Sequence, residues 1–144
     1  MKKLFSVLLL TAIGLFTFSS CELDDNSPNF HFELLPVDSV AVPESFVMGK
    51  TYKIKAYYKR PTDCYLSDGF YYEKELNTRT FALQAKVLEQ NNCAPVTNEA
   101  PLESSFNFLV TSNGSYIFKF FKGEDAEGNR TFLEYEIPVV TESE

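Results

Sequence analysis

The chain has no tryptophan, six glycines and one histidine in 144 residues. With His31 as its only imidazole, it cannot build a histidine-rich metal centre or an imidazole relay. Basic residues are also scarce. There are 13 against 20 acidic ones, a formal net charge of −7, which argues against nucleic acid and against charge-driven binding to anionic lipid. None of the glycines lies in a phosphate-cradling run or a Gly-x-Ser-x-Gly elbow. A nucleophile needs a base and an orienter, and the sequence assembles no such set, so the chain reads as non-enzymatic, without cofactor or metal. Glu124-Asp125-Ala126-Glu127-Gly128-Asn129 offers hard oxygen ligands but lacks the acidic twelfth residue of a calcium loop. It reads as a solvated hairpin tip.

The N-terminus carries an address. Met1-Lys2-Lys3 is a short positive start, residues 4–18 are almost wholly apolar, and Ser19-Ser20-Cys21 supplies small residues before the first acids. That order is a signal peptide over residues 1–20, since a membrane-spanning helix needs roughly 20 apolar residues. Phe18-Ser19-Ser20-Cys21 resembles a lipobox, the processing site of bacterial lipoproteins. The resemblance implies that Cys21 is acylated and becomes the mature N-terminus, tethering the protein to a membrane. Multiple acyl chains give stable anchoring, at about 0.8 kcal/mol per buried methylene. Loss of Lys2 and Lys3 with the signal leaves eleven of the thirteen basic residues against all twenty acidic ones, so the mature charge is −9. Glu22-Leu23-Asp24-Asp25-Asn26 resembles the acidic surface-export signals of Bacteroidetes-type lipoproteins; equally, residues 21–29 read as a lipidated, disordered acidic tether. The expected location is the outer membrane or cell surface.

Cys64 and Cys93 are the remaining thiols. An exported protein matures in an oxidising compartment and the pair is even in number, so a structural disulfide is expected.

Residues 30–144 read as a β-sandwich domain. Phe30, Phe32 and Leu34 alternate with His31 and Glu33, which predicts a first strand with His31 facing outward; Pro36 breaks it before a second piece over residues 37–42. Tyr52, Ile54, Ala56 and Tyr58 alternate with lysines. Ser67-Asp68-Gly69 reads as a turn, and a strand starts at Phe70. Phe81, Leu83, Ala85 and Val87 predict another strand, followed by a polar loop over residues 90–101 and a strand with Phe106, Phe108 and Val110. Tyr116, Phe118 and Phe120, then Leu133, Tyr135, Ile137 and Val139, predict a long C-terminal hairpin. About seven short strands with turns between them indicate an all-β sandwich. Asn113-Gly114-Ser115-Tyr116-Ile117-Phe118 resembles the Asp-x-Gly-x-Tyr-x-Cys signature of immunoglobulin-like domains. The resemblance implies that Tyr116 is a corner tyrosine bonding upstream backbone, with Phe118 in place of the core cysteine. It bears on fold alone.

Adjacent strand residues face opposite ways, so one of Tyr71 and Tyr72 must point outward, and Ile117 and Phe121 lie off the inward step. An aromatic–aliphatic patch would mark an interaction surface, or be covered by a loop. The expected function is therefore a non-catalytic interaction or accessory module at the cell envelope. Extracellular glycan binding is the alternative, followed by an immunoglobulin-like protease inhibitor. Asp38-Ser39-Val40 resembles the O-glycosylation acceptor motif of exported Bacteroidetes-type proteins, which implies a glycan on Ser39.

Overall fold

A computed structural model of the chain describes residues 28–97 and 99–141. The expected signal peptide, Cys21 and the expected tether up to residue 27 lie outside the described residues. Ten strands follow in order: β1 (Phe30–Leu35), β2 (Val37–Ala41), β3 (Phe46–Val47), β4 (Thr51–Tyr58), β5 (Tyr65–Glu75), β6 (Thr78–Leu88), β7 (Leu102–Leu109), β8 (Tyr116–Glu124), β9 (Arg130–Ile137) and β10 (Val139–Val140). The fold is all-β, as the alternating patterns predict.

Two principal sheets share one core. The larger contains β5, β6, β8 and β9, with β1 also on β6; the smaller runs β2-β4-β7. Pro36 separates β1 from β2. Proline cannot donate to a ladder, and here the chain leaves one sheet and enters the other, with Leu35 and Val37 both buried on either side. A small parallel pair, β3 with β10, puts Val139 opposite Phe46.

The inward faces of β4, β6, β7 and β8 follow the predicted alternation. Ile54, Ala56, Phe81, Leu83, Phe108, Phe118 and Phe120 all belong to the buried cluster. Phe81 of β6 stacks on Phe106 of β7 at 4.4 Å between ring centroids, which joins the two sheets directly.

Three features differ from the sequence-based expectation. Ser67-Asp68-Gly69 is no turn between strands but an irregularity inside β5, where the register on β6 shifts between Ser67 and Phe70. Gly69 supplies the φ of +90° that this bulge needs. The faces of β1 are also inverted. His31 is opposite Val87 and Glu33 opposite Ala85, and directly paired residues share a face. Phe30 and Phe32 therefore point outward, packed edge to face at 5.5 Å, with the Lys86 ammonium 3.7 Å from the Phe30 ring centre. Lastly, β8 runs parallel to β6, with Thr78 opposite Ile117 and Phe81 opposite Phe120. The two sheets of an immunoglobulin domain are antiparallel. Here β8 takes the first part of β6 and β1 takes the rest of the same strand.

The Tyr116 hydroxyl accepts the backbone N–H of Thr111 at 3.0 Å and of Ser112 at 2.8 Å. This is the upstream backbone contact expected of a corner tyrosine. Burial acts to raise the Tyr116 pKa, but the Thr111 and Ser112 donors, helped by Arg79, outweigh it and hold the phenol below its usual value. Tyr116→Phe leaves two backbone donors without their acceptor and should cost about 1–3 kcal/mol. Urea unfolding reads this directly, and an unchanged midpoint would remove the corner role.

Candidate functional site

The sequence-predicted residues do not converge on one site. Ser39 is exposed on β2, which among the described residues pairs only with β4 and forms a sheet edge. Cys64 and Cys93 form the expected disulfide, with Cα atoms 5.5 Å apart. Around it, the Asp63 N–H donates to the Ala94 carbonyl at 3.1 Å, and the Ala94 N–H donates to an Asp63 carboxylate oxygen at 2.8 Å. The bridge pins the polar loop after β6 to the start of β5. Closing a loop of 29 residues contributes about 3–4 kcal/mol on the chain-entropy account. Asp63, Cys64 and Cys93 bring ligand-type atoms within 4.8 Å of one another, but both sulfurs are committed to the disulfide. At the β8–β9 tip, the Asp125 carboxylate accepts the N–H groups of Glu127 and Asn129 at 3.1 and 2.7 Å. It closes its own loop, as a hairpin tip would.

His31 sits in a small polar cluster. Its Nε2 lies 2.8 Å from Glu33 and its Nδ1 3.3 Å from Glu89. Tyr65 donates its hydroxyl to the other Glu33 oxygen at 2.8 Å. The inverted face of β1 brings these groups together, beside Tyr65 and Val87 at one end of the sheet.

A larger apolar concavity lies elsewhere. Among the described residues, β5 pairs only with β6, and β7 only with β4. These two free edges face each other across the open side of the sandwich, touching where Phe70 and Phe106 meet at 5.0 Å. Beyond that contact the sheets leave a groove of about 520 Å³, lined by Phe70, Tyr72, Phe81, Phe106 and Phe108. The ladder explains the composition. Phe70, Tyr72 and Lys74 of β5 lie opposite Leu83, Phe81 and Arg79 of β6, so all six project to the core side. Of the tyrosine pair, Tyr72 turns into the groove and Tyr71 onto the outer face beside Phe121 and Phe132. Phe121 itself is buried, with the Phe132 ring 6.3 Å away, so the outer patch is smaller than alternation alone suggests.

Arg79 was not singled out by the sequence reading, although it stands two residues before Phe81 on the same face. It is 4% exposed. Its Nη1 donates to the carbonyls of Leu76 and Thr78, both at 2.8 Å, and its guanidinium lies over the Tyr116 ring at 5.0 Å. No carboxylate among the described residues pairs with it. Next to it, the two-residue β5–β6 connection begins at Leu76, which is 88% exposed with a φ of +50°, a conformation uncommon outside glycine.

No protein-family model, curated protein or solved structure matches the chain. The geometry alone therefore bears on function.

The histidine cluster gives a pH signature. The hydrogen bond to Glu33, opposed by desolvation and reinforced by Glu89, holds the His31 pKa above its ordinary value of 6.5. A histidine whose pKa is raised by folding stabilises the fold below its unfolded pKa, and that contribution is lost as pH rises through the folded value. An NMR titration should place the His31 midpoint above 6.5, and Glu33→Gln should move it back down. A wild-type midpoint at or below the ordinary value would contradict the cluster.

Proposed function

We propose that this is an exported, lipid-anchored binding module, non-catalytic, which meets its partner through the groove between β5 and β7. The observation that carries this reading is the groove itself: aromatic side chains continuous with the core open between two unpaired strand edges. Exposed edges normally invite pairing with other chains, and folds cover or charge them. Here the edges flank an apolar cleft, an arrangement suited to a ligand. The lipobox-like Phe18-Ser19-Ser20-Cys21 supports anchoring through Cys21, at the outer membrane or cell surface. The Tyr116 corner and the β2-β4-β7 sheet support an immunoglobulin-like relationship, with the parallel β6–β8 pairing as this chain's departure from it. Glycan binding remains the second reading. It would use the outer face, where Tyr71 is half-exposed beside a depression that includes Lys119 and Phe132.

The lipid and the edge-strand serine are tested together by intact-mass measurement on protein from its native host. The expected product begins at Cys21 and carries acyl chains, with a further glycan mass on Ser39. A Cys21→Ala variant should lose the acyl mass. An unprocessed chain, or acyl mass persisting in the variant, would overturn the anchoring; unmodified Ser39 in peptides would overturn the glycan. For the groove, a Tyr72→Ser variant removes a half-exposed ring that projects into it and should strongly weaken partner capture while leaving the thermal midpoint nearly unchanged. Undiminished capture would refute the groove as the binding surface.

A further inference from the structure

We propose that the occupant of the β5–β7 groove is an extended acidic-apolar segment of another polypeptide. It lies along the free edge of β7, inserts alternate apolar side chains among Phe70, Tyr72, Phe106 and Phe108, and places a carboxylate on Arg79. This rests on the groove being the binding surface and names what it binds.

The charge of the groove points to an acid. On a chain of net charge −7, the charged residues lining the groove are Lys74 and Arg79. They stand directly opposite one another in the β5–β6 ladder. Arg79 is almost fully buried, and its two hydrogen bonds go to neutral carbonyls. A buried guanidinium without a counter-ion is costly. A carboxylate entering the groove would supply that counter-ion in a water-poor setting, where a forked Arg–carboxylate pair is strong.

The walls point to a polypeptide. The unpaired side of a strand presents a row of backbone N–H and C=O groups. A hydrocarbon chain with an acid head would leave that row unmet. An added strand meets it, and its period-two side chains give one apolar row for the groove and one row for solvent. The groove follows β7 and the residues after it from Ser105 to Thr111. At about 3.3 Å per residue, that accommodates some five or six residues of added strand. The acidic stretch of this chain after Cys21 has Leu23 as its only large apolar residue, so it lacks the alternating apolar row and the segment comes from another protein.

The test is a selection from a phage-displayed library of random dodecapeptides, on the mature lipoprotein held in nanodiscs, followed by fluorescence anisotropy with synthetic copies of the selected peptides. Selected peptides should alternate apolar residues around an Asp or Glu. Replacing that acid with its amide should weaken binding at least tenfold. Lys74→Glu, an exposed change at the rim that leaves the fold intact, should weaken the acidic peptide several-fold, and Arg79→Met should erase the difference between acid and amide. Acid and amide peptides that bind equally, with binding still lost in Tyr72→Ser, would overturn the carboxylate and leave the groove standing. Peptides indifferent to Tyr72→Ser, or no enrichment together with no binding of dodecanoate, would overturn the groove itself. Binding of dodecanoate with no enriched peptide would show an amphiphile site and overturn the polypeptide.

Discussion

The fold depends on the ring of Phe118. It is fully buried and lies within about 6 Å, centroid to centroid, of five other aromatic rings: Phe46, Phe81, Phe108, Tyr116 and Phe120. Those rings come from β3, β6, β7 and β8, so one side chain ties both principal sheets and the small β3–β10 pair. Truncating a buried phenylalanine to alanine typically costs about 3–5 kcal/mol, against a total stability of about 5–15 kcal/mol for a domain. The disulfide is peripheral by comparison. It fastens a loop at the start of β5, while the aromatic cluster holds the sheets face to face.

The same cluster explains why the groove is apolar. Phe81, Phe106 and Phe108 belong both to the packed centre and to the groove wall. The core does not end at a polar rim on that side, because among the described residues β5 and β7 have no outer neighbours to carry one. Arg79 reaches this boundary from the turn end of β6, with Tyr116 beneath its guanidinium. The tyrosine that secures the corner after β7 therefore also supports the one buried cation of the described residues. Structure and candidate binding share parts, so a change at Tyr116 would be felt in both.

Much of this was legible in the sequence. Where both faces of a strand have distinct environments, period-two alternation gave the inward set, as with Phe81, Leu83, Ala85 and Val87, or Tyr116, Phe118 and Phe120. The pairing of Cys64 with Cys93 followed from their even count and the expected oxidising compartment. Alternation failed at β1 because Phe30 and Phe32 have no sheet above them; the phenylalanines pack on each other and on Lys86, and the polar step turns inward to Tyr65. It also missed β3 and β10, whose two-residue lengths carry no period. Sheet order was not legible, since the parallel β6–β8 contact depends on which long-range partners meet. Arg79 could have been found by parity with Phe81, but a lone arginine beside a turn reads as solvated until its burial is known.

Binding in the groove requires the sandwich to be open between β5 and β7 in the free protein. Residue-resolved amide hydrogen exchange reads this opening strand by strand. Along an edge strand, alternate N–H groups point at a partner and at solvent. Along β7, amides aimed at β4 should exchange slowly and the alternate ones quickly, and β5 should show the same alternation against β6. In the half of β6 flanked by both β5 and β1, exchange should be uniformly slow. Uniform protection along β5 and β7 would mean that their outer edges are already paired, and would contradict the open groove.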